Sequence, residues 1–208
     1  MKKLGIVLSL ALIAVLLAGS ALAQNVGDKS VYFTTFYTGA NTSAPDSTLR
    51  IVNDGSASTA EVEGQPNGTL WASIYVFDDS QEMQECCSCL VSADGLLSES
   101  VNHELLANPI TGKVNHVGVI KVIGSKGSDP TNNTPTAGLK GTISYDIAAN
   151  TQTPNSKAVN AYLALEHPLA DSNLVSAEQT ALQESCGFAI TLGSGAGTCS
   201  CTPEDNDF

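Results

Sequence analysis

The sequence predicts a mainly β protein: an antiparallel β-sandwich of immunoglobulin-like type with one short C-terminal helix, stapled by disulfides. Three observations lead there. Short runs rich in β-branched and aromatic residues recur along the chain, with Gly-, Asn-, Asp- and Ser-containing turn signals between them. One segment near the C-terminus opens like a helix. Six cysteines fall into two tight groups about a hundred residues apart: Cys86, Cys87 and Cys89 in the run Glu-Cys-Cys-Ser-Cys, and Cys186, Cys199 and Cys201 near the end.

Taken in order, Val31 to Tyr37 reads as a strand, ended by Gly39-Ala40-Asn41. Leu49 to Val52 is a second, closed by the turn signal Asn53-Asp54-Gly55. Leu70 to Phe77 is the clearest strand, with Leu70, Ala72, Ile74 and Val76 on one face and Trp71, Ser73, Tyr75 and Phe77 on the other. Both faces are largely apolar, so it belongs in the middle of a sheet. After the polar turn Asp78 to Gln81, the chain returns through Met83 to Val91 with the first cysteine group inside it. Leu96 to Val101 is a short strand after Asp94-Gly95, and Val114 to Ile123 alternates cleanly. Gly124 to Gly138 holds almost nothing apolar and reads as a long surface loop. Leu139 to Ala148 and Ala158 to Leu165 follow as strands. Ser176-Ala177-Glu178-Gln179 is a capping box with Ser176 at the N-cap, and Gly187 is placed to end the helix. Phe188 to Leu192 reads as a final strand before the Gly-rich run 193–197.

The N-terminus predicts export. Lys2 and Lys3 precede an apolar stretch from Leu4 to Leu17, and Ala21-Leu22-Ala23 supplies a small-x-small cleavage pattern before Gln24. The apolar run is shorter than the roughly 20 residues that a membrane span needs. The reading divides the chain into a signal peptide at 1–23, one sandwich domain at 24–192, and a Gly-rich segment with an acidic tail at 193–208, tied back by Cys199 and Cys201. It places the mature chain in the periplasm, at the cell surface or outside the cell, and not in a membrane.

The chain has 9 basic and 21 acidic residues, a net charge of −12. Cleavage would remove Lys2 and Lys3 and no acid, leaving −14. Arg50 is the one arginine. A surface of that sign repels phosphate backbones, so nucleic-acid partners are excluded. With aromatics at 5%, Ile, Val, Leu and Ala must fill the interior.

An even cysteine count in an exported chain points to a disulfide framework. On a strand, Cys87 and Cys89 share a face and Cys86 opposes them, while Cys199 and Cys201 again share a face. Three bonds between the two groups satisfy that geometry, with the connectivity left open among fifteen pairings. Thiolates could instead hold zinc or copper(I). One residue between paired cysteines is tighter than the two to four typical of zinc sites. Cys199-Ser-Cys201 has no Lys, Arg or His nearby in sequence to lower a thiol pKa, which argues against redox exchange.

No catalytic constellation stands out. His103-Glu104 opens the string HELLA, but the fifth position is Ala107 and the zinc-protease pattern fails. His116 and His167 are scattered, and Gly193-Ser194-Gly195 lacks the Gly-x-Ser-x-Gly of a nucleophile elbow. The turn residues Asp78, Asp79 and Glu82, and the tail Glu204-Asp205-Asn206-Asp207, offer oxygen ligands that calcium would accept. Of these, Asp78, Asp79 and Glu82 are the metal candidates carried forward. Sequons at Asn41, Asn67 and Asn132 are expected by chance in a Ser- and Thr-rich chain.

The stretch from Ile74 to Pro109, reading IYVFDDSQEMQECCSC and on through DGLL and LLANP, resembles exported bacterial proteins built around an ECCSC core. The capped helix and the C-terminal Cys-x-Cys belong to the same pattern. The resemblance implies an exported, disulfide-bonded domain and carries no catalytic residue with it. The function expected from the sequence is therefore a non-enzymatic surface, adhesive or assembly component, or a binding module, with protein, glycan or self partners. A secreted protein binding Cu, Zn, Ca or a small ligand is the alternative, and a secreted hydrolase a third.

Overall fold

The computed structural model describes residues 31–42, 44–57, 66–149 and 161–201. The N-terminal segment expected to be a signal peptide, the acidic tail from 202 onward and the start of the strand expected at 158 lie outside them. Among the described residues, nine strands and one α-helix follow in chain order: β1 Tyr32–Thr38, β2 Thr48–Asn53, β3 Leu70–Asp78, β4 Met83–Val91, β5 Leu96–Ser100, β6 Val117–Ser125, β7 Leu139–Ala149, β8 Ala161–Pro168, β9 Ala170–Asp171 and α1 Ser176–Leu192. A single π-helical turn, Val101–Leu105, follows β5. The protein is mainly β, as the strand pattern predicts.

Two antiparallel sheets form, one in the order β4-β3-β6-β1-β9 and the other β5-β2-β7-β8. Their facing sides share one apolar core. Leu49, Ile51, Leu97 and Ile143 come from the four-stranded sheet. Phe33, Tyr37, Ala72, Ile74, Val76, Ile120 and Val122 come from the other. The inward set of β3 is the one its alternation predicts, and the strand lies between β4 and β6. Gly118 of β6 sits where strands crowd: a Cβ there would come 2.0 Å from the Phe77 carbonyl oxygen and 2.6 Å from the Tyr37 hydroxyl.

The opposite face of the five-stranded sheet carries the helix. Tyr32, Tyr75 and Ile123 of the sheet meet Leu182 and Cys186 of α1, with Cys86 among them. Lys121 Nζ lies 2.6 Å from Glu178 Oε1, which also accepts a hydrogen bond from the Tyr32 hydroxyl at 2.9 Å. Burial of Glu178 opposes ionisation, but the bonds from Lys121 and Tyr32 and the lysine's charge outweigh it and lower its pKa.

The helix departs from the sequence reading at both ends. Its N-cap is Val175, with no side-chain cap bond, and Ser176 is already helical. The capping-box residues are engaged elsewhere: Glu178 with Lys121 and Tyr32, and Gln179 with the Asn133 carbonyl and side chain. Gly187 does not end the helix, and Phe188 to Leu192 is helix rather than strand. Glycine inside a helix costs only about 1 kcal/mol against alanine. The nearby edge of β4 is already taken by the C-terminal segment, so Phe188 to Leu192 finds no sheet to join there. The helix stops at Gly193, whose N–H donates to Ala189 O at 2.9 Å.

Other boundaries shift for local reasons. β6 begins at Val117 rather than Val114, because 114–116 belong to a loop pinned to the end of β1. The loop 124–138 is not wholly surface. Ser125 extends β6, and Asn133 is buried beneath the helix, donating to the Tyr75 hydroxyl.

Past α1 the chain reverses through Ser194, Gly195 and Gly197, all at positive φ. It then runs along the free edge of β4. Cys86 N donates to Gly197 O, Cys199 N to Cys86 O, and Thr198 forms a parallel bridge with Cys86. Three disulfides lock this arrangement: Cys86–Cys186, Cys87–Cys199 and Cys89–Cys201. The first lies on the helix side of β4, the other two on the core side, as opposite faces of one strand require.

The bridges are unequal. Cys86–Cys186 alone would close a loop of 100 residues, worth about 4 to 5 kcal/mol on the chain-entropy account. With one bridge in place, the next closes only about 15 residues, worth about 3 kcal/mol, and the outermost closes still fewer. Replacing Cys86 and Cys186 together by serine is expected to lower the melting temperature by roughly 6 to 12 °C, at about 2 to 4 °C per kcal/mol. Replacing Cys89 and Cys201 should cost less. Thermal unfolding by circular dichroism without reductant gives the order, and the reverse order would refute it.

Candidate functional site

The two cysteine groups meet, and their sulfurs crowd together. The Sγ atoms of Cys87, Cys89 and Cys201 lie within 4.8 Å of one another, the one such metal-sized group among the described residues. Cys87 Sγ and Cys89 Sγ are 3.8 Å apart. Each of these sulfurs is bonded to another cysteine, and the thiolate is the form that ligates metal. As oxidised, the cluster is a structural tie.

The other candidates from sequence do not converge. Asp78 is buried, and its carboxylate accepts from Ser80 N, Glu82 N and Gln84 Nε2, all at 2.9 Å. It caps the β3–β4 turn. Asp79 lies 3.6 Å from Lys113 Nζ, and Glu82 lines a groove beside the helix. His116 Nδ1 is 2.8 Å from the Ala40 carbonyl, and His167 stacks on Tyr145 at 4.8 Å. His103 is exposed in the π-turn, where its backbone N–H donates to Ser100 Oγ. The glutamate of HELLA, Glu104, accepts from the backbone N–H of Ser100. Gly193-Ser194-Gly195 forms the reversal after α1. The sequon residue Asn41 donates its Nδ2 to Asn115 O at 3.1 Å.

What the fold does gather is a loop, 106–115, held between β4 and the C-terminal segment. Leu105 and Leu106 plug its start into the core. Asn108 N donates to Glu85 Oε1 at 2.7 Å, Ile110 N to Gln84 O at 2.9 Å, and Thr111 Oγ1 to Gln84 Oε1 at 2.6 Å. Asn108 also joins the tail: its Nδ2 donates to Gly195 O, and its carbonyl accepts from Gly197 N. A bulge in β4 near Gln84 makes this possible, because Val76 pairs with Glu85 but Phe77 with Met83. The extra residue frees Gln84 to face the loop.

The loop has two sides. One borders a groove of about 550 Å³ against α1, lined by Glu82, Met83, Ile110, Glu184 and Phe188. The helix end beside it leaves Phe188, Ile190 and Leu192 exposed. The other side borders a polar cleft of about 290 Å³, lined by Asn41, Leu106, Asn108, Pro109, Lys113 and Asn115. Asn115 is only 3% exposed, and neither its Nδ2 nor its Oδ1 meets a protein partner. Leaving such a group unpaired costs about 1 to 3 kcal/mol, so its retention in the floor of a cleft calls for a reason.

Nothing in the sequence marks this cleft. Asn108-Pro109 and Thr111-Gly112 are ordinary turn signals, and Asn115 stands in the stretch that reads as the start of a strand. No family model, curated protein or solved structure matches the chain. No helix among the described residues is long and apolar enough to cross a membrane.

One carboxyl beneath the loop titrates abnormally. Glu85 is fully buried, and burial raises its pKa to about 7 against the opposing bond from Asn108 N–H. Its Oε2 has no partner. The neighbouring Tyr37 hydroxyl is pushed up as well, by burial first and then by Asp78, Asp79 and Glu85. Because folding raises the Glu85 pKa, the proton it retains favours the folded state at low pH. That contribution is complete below the unfolded value near 4.5 and disappears as pH rises through about 7. Glu85→Gln keeps an oxygen for Asn108 N–H and removes the charge. The variant should unfold much like the native chain at pH 4, and be more stable by about 2 to 3 kcal/mol at pH 9. Urea unfolding across that range measures it, and a pH-independent difference would refute the assignment.

Proposed function

We propose that this chain is an exported, non-enzymatic binding module on an immunoglobulin-like scaffold, and that its disulfide-tied end is the recognition surface. In this reading, residues 1–23 are removed on export and the mature domain acts in the periplasm or at the cell surface. The observation that carries it is the polar cleft lined by Asn41, Asn108, Lys113 and Asn115, whose loop is hydrogen-bonded to β4 and to the disulfide-tied tail. Such a site is largely preformed, because the loop that builds it is bonded to β4 and to the tail behind the disulfides. Preorganisation spares a binding site the ordering cost that a free loop would bear.

The histidines and carboxylates of the sequence support the non-enzymatic half of the proposal. His116 Nδ1 meets the Ala40 carbonyl, Asp78 accepts from Glu82 N, and Glu104 accepts from Ser100 N, all of them contacts that hold turns and loops. The resemblance to exported proteins with an ECCSC core agrees with an extracellular, oxidised domain. The acidic charge disfavours phosphate-bearing partners.

Thermal melts of the oxidised chain test the reading against separate classes of compound: neutral saccharides, amino-acid amides and short peptides, calcium, copper(II) and zinc. A rise in melting temperature is expected with at least one of the organic classes. A rise with a metal ion alone would replace this proposal by the metal-binding one. No rise with any class would overturn it.

A further inference from the structure

We infer that the helix-side face of the five-stranded sheet, with the groove beside α1, docks an amphipathic helix of a partner protein whose Lys or Arg side chains meet Glu82 and Glu184. This surface lies across loop 106–115 from the polar cleft. The inference goes beyond the cleft reading, and its failure leaves that reading untouched.

The sheet face is one helix short. α1 crosses the strands from β1 to β4, with Glu178 against Tyr32 and Lys121 at one end and Cys186 bonded to Cys86 at the other. Two residues further along the strands a second row runs beside it: Phe36 pairs with Val119, Val119 with Phe77, and Phe77 with Met83. Directly paired residues share a face, and Phe77 and Met83 pack against the cluster that α1 covers. Phe36, at the sheet edge, leans to Tyr145 with 5.2 Å between ring centres. It is still 50% exposed, and Val119 is 37% exposed. A step of two residues along a strand is about 7 Å. Neighbouring helices pack about 8 to 10 Å apart, so the row lies close to the axis a second helix would take. Three strand spacings separate Phe36 from Met83, the length of about three helical turns.

At the β4 end the row opens into the groove, where Met83, Ile110 and Phe188 give an apolar lining. Phe188 is 61% exposed, and Leu192, one turn on, is equally bare. Charge then names the partner. Glu82 and Glu184 line the same groove, both exposed, and neither joins an ion pair among the described residues. The nearby charges are already answered: Asp79 by Lys113, and Lys121, whose Nζ lies over the Phe77 ring, by Glu178. A partner's cation would meet two free carboxylates beside apolar surface, while its apolar residues, spaced at helical intervals, cover the row. A second copy of this chain fits less well, because a two-fold contact would set the same unpaired acids against each other. An anionic membrane surface is repelled by a chain with 21 acidic and 9 basic residues. A neutral apolar ligand would leave both carboxylates unanswered.

The test is calorimetric titration of the oxidised chain with three peptides of about 14 residues, four helical turns each. One is leucine and lysine with the leucines on one helical face. The second puts serine in place of leucine, and the third glutamate in place of lysine. The leucine–lysine peptide should bind saturably, and the other two at least ~10-fold more weakly. Phe188→Ala combined with Glu184→Gln should weaken that binding at least ~10-fold, the scale of one aromatic anchor. The matched pair Leu163→Ala and Glu166→Gln, on the four-stranded sheet, should leave it unchanged. If the first variant does not fold, Val119→Thr serves: it keeps the branched shape, puts a hydroxyl in the row, and should weaken binding ~3-fold. Equal binding of the serine–lysine peptide would show charge acting alone and overturn the inference, as would equal losses from the two double variants. Equal binding of the leucine–glutamate peptide would overturn the basic partner. Silence with every peptide overturns it as well. A dimer by light scattering, or flotation of the chain with phosphatidylcholine vesicles, would then name the occupant that replaces it.

Discussion

The covalent bond between β4 and the end of the chain is the constraint on which the rest depends. β4 is an edge strand, and an open edge is a row of unpaired N–H and C=O groups. The segment 197–199 covers part of it with backbone hydrogen bonds, and three disulfides hold it there. The cover is short and partly glycine, so its hydrogen bonds alone would not keep it in place against the entropy of a free tail. The bridges remove that entropy from the unfolded state and pin three elements at once: the helix, the tail and, through Asn108, the loop 106–115.

The helix shows how much the constraint carries. It buries only Leu182, Cys186 and Ala189, and leaves Phe188, Ile190 and Leu192 exposed along its last turns. An amphipathic surface helix normally turns a wider apolar stripe to the core. Here one of the three buried residues is the disulfide cysteine itself, and the polar cluster of Lys121, Glu178 and Tyr32 holds the other end.

The cleft and the buried Glu85 belong to the same device seen from the core side. Glu85 sits on the inward face of β4 in register with the cysteines, where a hydrophobic residue would pack without cost. Its Oε1 instead receives the backbone N–H of Asn108, the residue that also ties the loop to the tail. The carboxyl holds the loop at the cost of a half-satisfied buried group, and the Asn115 carboxamide at the loop's other end is buried with neither polar atom meeting a protein partner. Polar groups left short of protein partners cost stability.

Period-two alternation with turn residues between was enough to locate β1 to β8, the inward face of β3 and the opposition of Cys86 to Cys87 and Cys89. Side-chain direction on a strand is a local property, and it was legible in the sequence. Everything that turned on a choice between partners was decided by the tertiary structure. Gly187 and Phe188 to Leu192 became helix because the nearby sheet edge was occupied. Ser176 lost its capping role because Glu178 and Gln179 found partners across the chain. Of the fifteen cysteine pairings, one was selected by bringing residues 100 and 112 positions apart into contact. The cleft was illegible for the same reason: Asn41, Asn108 and Asn115 are unremarkable in sequence, and only the meeting of the turn after β1 with loop 106–115 makes them neighbours.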